Sequence, residues 1–197
     1  SFITFTLCAY IVDIFTRKFG EAHSAPTVTA YVLFFPHLIA GPILRPHELI
    51  PQLEHPRRMA LRRIAVPVAL FTIGLVKKLI FADQIAQTVD TLYQHAGGLT
   101  GPSALLAIYG FSAQIYCDFS GYTDMALGLA LLLGVRLPNN FFRPYAADSI
   151  VDFWRRWHVT LSSWLRDYLY IPLGGSRHGR LQAARNVVIT MALGGLW

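Results

Sequence analysis

Residues 153–175, Phe-Trp-Arg-Arg-Trp-His-Val-Thr-Leu-Ser-Ser-Trp-Leu-Arg-Asp-Tyr-Leu-Tyr-Ile-Pro-Leu-Gly-Gly, hold three of the four tryptophans and the histidine best placed for chemistry, His158. At about 100° per residue, Phe153, Trp157, Trp164 and Tyr168 share one face, with Trp154, His158, Leu161 and Leu165 beside them. Asp152, Arg155, Arg156, Ser163, Arg166 and Asp167 take the other side. The spacing predicts one amphipathic helix, capped by Asp148 or Ser149 and ended by Pro172 and Gly174-Gly175. It carries too many charges to cross a bilayer upright, so it is expected at an interface or along a polar cavity. On its apolar side a neutral imidazole is easier to hold than an imidazolium, which suits His158 to general-base work. The alternative is a packed histidine hydrogen-bonded to a backbone carbonyl.

A second set of polar residues interrupts apolar sequence. Lys77 and Lys78 sit near the middle of the stretch 64–89, where they must reach an interface or a watery interior. They could snorkel, or they could contact an anionic donor group. Asp118, Ser120 and Asp124 lie between the apolar runs 103–116 and 125–135. An unpaired buried carboxylate costs several kcal/mol, so Asp118 and Asp124 are expected to pair with Arg136, Arg143 or Arg155, or else to act as acid and base. His37, in the apolar run 27–40, is either a cavity residue or a helix-end cap. His47-Glu48 and Glu54-His55 do not make a metal site, because adjacent side chains point apart and no further ligand cluster completes one. No metal is expected.

These residues need positioning elements, and the composition says of what kind. Hydrophobic residues make up 54% of the 197, charged ones 14%, and mean hydropathy is +0.43. That predicts an all-α polytopic membrane protein with transmembrane, broken or re-entrant, and interfacial amphipathic helices. The net charge of +6 is concentrated in Arg57, Arg58, Arg62 and Arg63 and again in Arg177, Arg180 and Arg185. Each cluster borders apolar sequence, the pattern of cytoplasmic loops, which argues against nucleic acid as a partner. Residues 2–14 read as an apolar helix end, with Asp13, Arg17 and Lys18 at the water boundary. In 27–40, Pro36 and Gly41-Pro42 leave only about 21 Å of helix against a hydrocarbon core of about 30 Å, so the segment is broken or re-entrant. Residues 43–63, with three prolines, read as a cytoplasmic loop, and 91–102 as the loop on the opposite side. The turn-rich connector 137–144 leads to the central helix, and a basic glycine loop follows it at 174–179. Cys8 and Cys117 are expected to be buried thiols. The whole of 1–197 is expected to be a single membrane domain, an internal piece of a longer chain truncated at both ends.

Three motifs, 154–175, Tyr116-Cys-Asp-Phe-Ser-Gly-Tyr-Thr-Asp124 and Phe35-Pro-His-Leu-Ile-Ala-Gly-Pro42, resemble the membrane-bound O-acyltransferase (MBOAT) family. The likeness runs closest to its bacterial branch serving alginate O-acetylation. Together the motifs cover nearly the whole chain in order. The resemblance implies a bacterial inner-membrane, multi-pass acetyltransferase or other short-chain O-acyltransferase. It would use an acyl-CoA or acyl-carrier thioester as donor, with no bound cofactor, and an extracytoplasmic polysaccharide such as alginate or another exopolysaccharide as acceptor. Implied partners are membrane lipid, a periplasmic acyltransferase with polysaccharide assembly proteins, and an acyl carrier protein.

The same resemblance carries a catalytic role onto His158, with Trp154, Arg155, Trp157, Asp118, Ser120, Asp124, His37, Lys77 and Lys78 as supporting or channel residues. It also implies a second histidine directly after Gly195-Leu196-Trp197. His158 is then either the base or the partner that orients substrate or polarises the carbonyl, and this stretch alone is expected to be inactive. None of the seven histidines is followed by Asp four or five positions on, and no Gly-x-Ser-x-Gly elbow is present, so direct transfer is expected rather than a serine acyl-enzyme. Two other readings stay open: a transporter or channel, since broken helices and intramembrane charges also mark substrate pathways, and an acyltransferase acting on lipid or protein.

Overall fold

The long apolar stretches fold as helix among the described residues. The computed structural model describes residues 2–19, 23–38, 41–56 and 64–196, and among these there is no strand. The elements are α1 (Phe2–Phe15), α2 (Ala25–Val32), α3 (Pro46–Glu54), α4 (Ala65–Val76), α5 (Asp83–Gln94), α6 (Gly101–Leu132), α7 (Ile150–Arg156), α8 (Val159–Leu165) and α9 (Arg180–Leu196). The arginines at 57, 58, 62 and 63, expected in a basic loop, lie outside the described residues. Two compact units emerge, one drawn from within 1–38, 42–55 and 138–197, the other from within 39–41 and 56–137.

In the second unit, α4 and α5 are continuous through a π-helical segment, Lys77–Ala82. The combined helix Ala65–Gln94 has 30 residues and is the one described helix long and apolar enough to cross a membrane. At 1.5 Å per residue it is about 45 Å long, more than a hydrocarbon core needs. Against it packs α6, a single 32-residue helix where the sequence suggested two apolar runs around a polar interruption. Small residues let the two backbones approach: a Cβ on Gly74 would stand 2.5 Å from the Gly121 carbonyl oxygen, and one on Gly121 2.8 Å from that of Gly74. The expected loop at 91–102 is shorter than predicted, since α5 runs to Gln94 and α6 begins at Gly101.

The first unit has its core where a loop was expected. Ile43, Leu44, Leu49 and Ile50 are buried, and Pro46–Glu54 is helical. Pro46 stands in the first turn, where a missing N–H is harmless, and Glu48 caps the helix start by accepting the Arg45 amide at 2.8 Å. Tyr31, fully buried, donates its hydroxyl to the Leu44 carbonyl at 2.9 Å. Asp13 is buried at 3% exposure rather than at the water boundary, because Tyr168 donates to it at 2.7 Å. Arg45 pairs with Asp167 at 2.7 Å. The apolar run 27–40 is broken as predicted: α2 stops at Val32 and a 3-10 turn, Phe35–His37, follows. Cys8, expected inside, is exposed on α1, and Cys117 is half-buried.

Candidate active site

Ser149 starts α7 by accepting the Asp152 amide at 3.2 Å, and Arg155 and Arg156 lie in its last turn, where positive charge opposes the helix dipole. Asp152 and Arg156 pair at 2.8 Å, one turn apart. The predicted single helix does not continue. Trp157 is extended, and His158 takes φ 42° and ψ 56°, a left-handed conformation that a non-glycine residue holds at a cost of about 1–3 kcal/mol. Helix resumes as α8 and ends in a π-helical turn, Arg166–Tyr170.

The connector beside the break compensates for it. Phe142 N–H donates to the Arg156 carbonyl at 3.0 Å, and Val159 N–H to the Asn140 carbonyl at 3.1 Å. The side-chain oxygen of Asn140 then accepts the Thr160 amide at 3.2 Å and the Thr160 hydroxyl at 2.6 Å. Asn140 thus caps α8 from outside, meeting first-turn amides that would otherwise lack partners. Ile43 N–H donates to Thr160 Oγ1 at 3.0 Å, so the segment after the Phe35–Pro42 motif is fastened to the same point.

His158 is buried at 8% exposure, and its Nδ1 lies 3.4 Å from Asn140 Oδ1. Burial pushes its pKa down to about 4, so the imidazole is neutral near pH 7. The four aromatic residues that spacing put on one face of a single helix fall instead into two separate groups, because the helix breaks between them. Trp157 lies on Phe153 at 5.6 Å with Phe141 edge-on at 5.1 Å, while Trp164 lies on Tyr168 at 5.0 Å with Phe5 at 4.6 Å. A cleft of about 720 Å³ opens between α7, α8 and α9, its walls including Trp154, Arg155, Val159, Ser162, Arg166 and Met191. His158 is not in its wall, though Arg155 before it and Val159 after it are. His37 is fully buried, with its ring stacked on Phe34 at 6.1 Å.

The other predicted residues form a network of their own in the second unit. Lys77 meets Asp124 at 2.6 Å, and Lys78 meets both Asp118 and Asp83 at 2.6 Å. The expected arginine partners are therefore corrected to lysines, for a geometric reason: the π-helical segment turns both ammonium groups toward α6. Ser120, on the same helix, is buried at 2% exposure. Glu48, weighed with His47 as a metal pair, is committed to the Arg45 amide. The residues that sequence reasoning missed are Asn140 and Thr160. The tandem asparagines in Leu-Pro-Asn-Asn-Phe-Phe were read only as turn formers, and the one signal available was a polar pair inside an apolar connector.

The described chain is apolar and helical, with a buried histidine at the break in its amphipathic segment. Residues 12–197 match the model of MBOAT, the membrane-bound O-acyltransferase family, and the chain belongs to that family. It is 46% identical over 197 residues to the probable alginate O-acetylase AlgI of Pseudomonas aeruginosa, covering 100% of this chain and 38% of that protein. It is 46% identical over 169 residues to a peptidoglycan O-acetyltransferase of Helicobacter pylori, covering 85% of this chain and 32% of that one. A teichoic acid D-alanyltransferase of Bacillus subtilis is 29% identical over 181 residues, 87% of this chain and 44% of its own length. The chain spans about two fifths of the length of the alginate O-acetylases it matches.

Proposed function

We propose that the chain is part of a multi-pass inner-membrane O-acyltransferase that moves an acetyl or other short acyl group from a cytoplasmic thioester toward an extracytoplasmic polysaccharide. The observation that carries this reading is the buried, neutral imidazole of His158 at the break between α7 and α8. Membership of the family supports the reaction class, and the relatives named for alginate, peptidoglycan and teichoic acid support a cell-envelope polymer as acceptor. Acyl-CoA or an acyl carrier protein supplies the thioester, and a periplasmic transferase receives the group.

In this scheme an acceptor hydroxyl gives its proton to His158 as its oxygen attacks the thioester carbonyl carbon. The carbon–sulfur bond then breaks, and the imidazolium returns the proton to the leaving thiolate. Trp154 and Arg155, in the wall of the cleft beside the break between α7 and α8, bind the acyl donor. The test is transfer of radiolabelled acyl group to exported polymer in membranes, with His158→Ala beside wild type at matched protein level. Loss of a positioned base lowers the rate about 10²- to 10⁴-fold. Transfer near the wild-type rate overturns the assignment.

A further inference from the structure

The Asn140 amide has two unlike ends, and Thr160 decides which one faces inward. Thr160 N–H can only donate, and it lies 3.2 Å from Asn140 Oδ1. Turning the amide over would set two N–H groups against each other. The Thr160 hydroxyl agrees: it receives the Ile43 amide at 3.0 Å and sends its own proton to Asn140 Oδ1 at 2.6 Å. Asn140 is 0% exposed, so water cannot take over these roles.

With Oδ1 pinned as an acceptor, Nδ1 of His158, facing it across 3.4 Å, makes a hydrogen bond there only when it carries the hydrogen. A neutral imidazole with its proton on Nδ1 keeps its lone pair on Nε2. We infer that Asn140 is a positioning residue that locks His158 in the Nδ1–H tautomer and thereby makes Nε2 the proton-accepting atom. The inference takes from the proposed function only that His158 handles the acceptor proton; the tautomer itself stands on the hydrogen-bond geometry.

The division of labour follows. The Asn140 backbone carbonyl and side-chain oxygen both hold the start of α8, which keeps His158 in its left-handed conformation. The same oxygen orients the ring. Asn140 Nδ2 is buried with no hydrogen-bond partner among the described residues, so Asn140→Asp places a second oxygen there and keeps the first in place. The neutral partner of His158 becomes an anion without loss of the helix cap.

The experiment is ¹⁵N NMR of the histidine-labelled protein in lipid bilayers, with the His158 signals assigned by their absence in His158→Gln. The wild type is expected to show a protonated Nδ1 and an unprotonated Nε2 at pH 7. Asn140→Asp is expected to keep that tautomer and to raise the protonation midpoint of the ring by about 1 to 3 pH units. A proton on Nε2 in the wild type overturns the inference, as does an Asn140→Asp midpoint equal to that of wild type. Should Asn140→Asp fail to accumulate, the wild-type tautomer decides alone. Because NMR does not read transfer, an Nδ1–H tautomer together with an active His158→Ala would sink the proposed function and leave this assignment standing.

Discussion

Tyr168 donates its hydroxyl to Asp13 at 2.7 Å, binding the turn after α8 to α1 across 155 residues of sequence. Lys18 and Arg45 both lie 5.9 Å from the centre of the Tyr168 ring, so the carboxylate and two cations converge on one aromatic side chain. Removing the hydroxyl leaves a buried carboxylate short of a donor, a loss of about 1–3 kcal/mol. Tyr168→Phe is therefore expected to lower the unfolding midpoint in detergent. An unchanged midpoint would mean that solvent replaces the bond.

The pH dependence follows from His158. Burial lowers its pKa from the ordinary 6.5 to about 4. Between those values the unfolded chain binds a proton that the folded chain refuses. The stability of the neutral buried ring is whole above pH 6.5 and drains away as pH falls toward 4. At about 1.4 kcal/mol per unit this amounts to roughly 3 kcal/mol. Unfolding midpoints measured across that window should slope downward with acid in wild type and flatten in His158→Gln. The acidic limb of the transfer rate should likewise lie well below pH 6.5; a limb at 6.5 would show a solvated ring.

What the sequence reveals and what it hides divide along local and non-local causes. Helical periodicity put Phe153, Trp157, Trp164 and Tyr168 on one face, and within it Phe153 stacks on Trp157 and Trp164 on Tyr168, because the members of each pair are one turn apart. Ser149 is legible as a cap for the same reason. The break between the pairs is not legible, since its determinant, Asn140, lies 18 residues before His158 and acts through a side-chain oxygen. Prolines at 46, 51 and 56 suggested a loop at 43–63; buried Leu49 and Ile50, with the Glu48 cap, outweigh them. Asp118 and Asp124 advertised a need for cations, but which cations depends on how α6 meets the lysine segment.

That pairing supports a double-mutant cycle. Lys77 and Asp124 are 2.6 Å apart, their side chains 28% and 17% exposed. Removing either alone strands a charge against an apolar helix, at a cost of a few kcal/mol. Lys77→Met and Asp124→Leu should each destabilise the protein, and the double variant should recover much of the loss. If the two effects simply add, the pair is solvated and contributes little.

Gly74 sets how closely α4 and α6 can pack, which makes it a sharper probe of the second unit than any charge. A Cβ there would stand 2.5 Å from the Gly121 carbonyl oxygen, 2.8 Å from the Met125 amide nitrogen and 2.9 Å from Met125 Cγ. Two of those three atoms are backbone and cannot swing aside, so the helices must separate. Overpacking of this kind costs about 1–3 kcal/mol. Gly74→Ala is expected to lower the unfolding midpoint in detergent, and Gly74→Leu to prevent accumulation in the membrane. Gly97→Ala, where an added Cβ meets nothing within 4 Å, is the matched control and should leave the midpoint where it is. If Gly74→Ala behaves like that control, the close approach of α4 and α6 is not what holds this unit together.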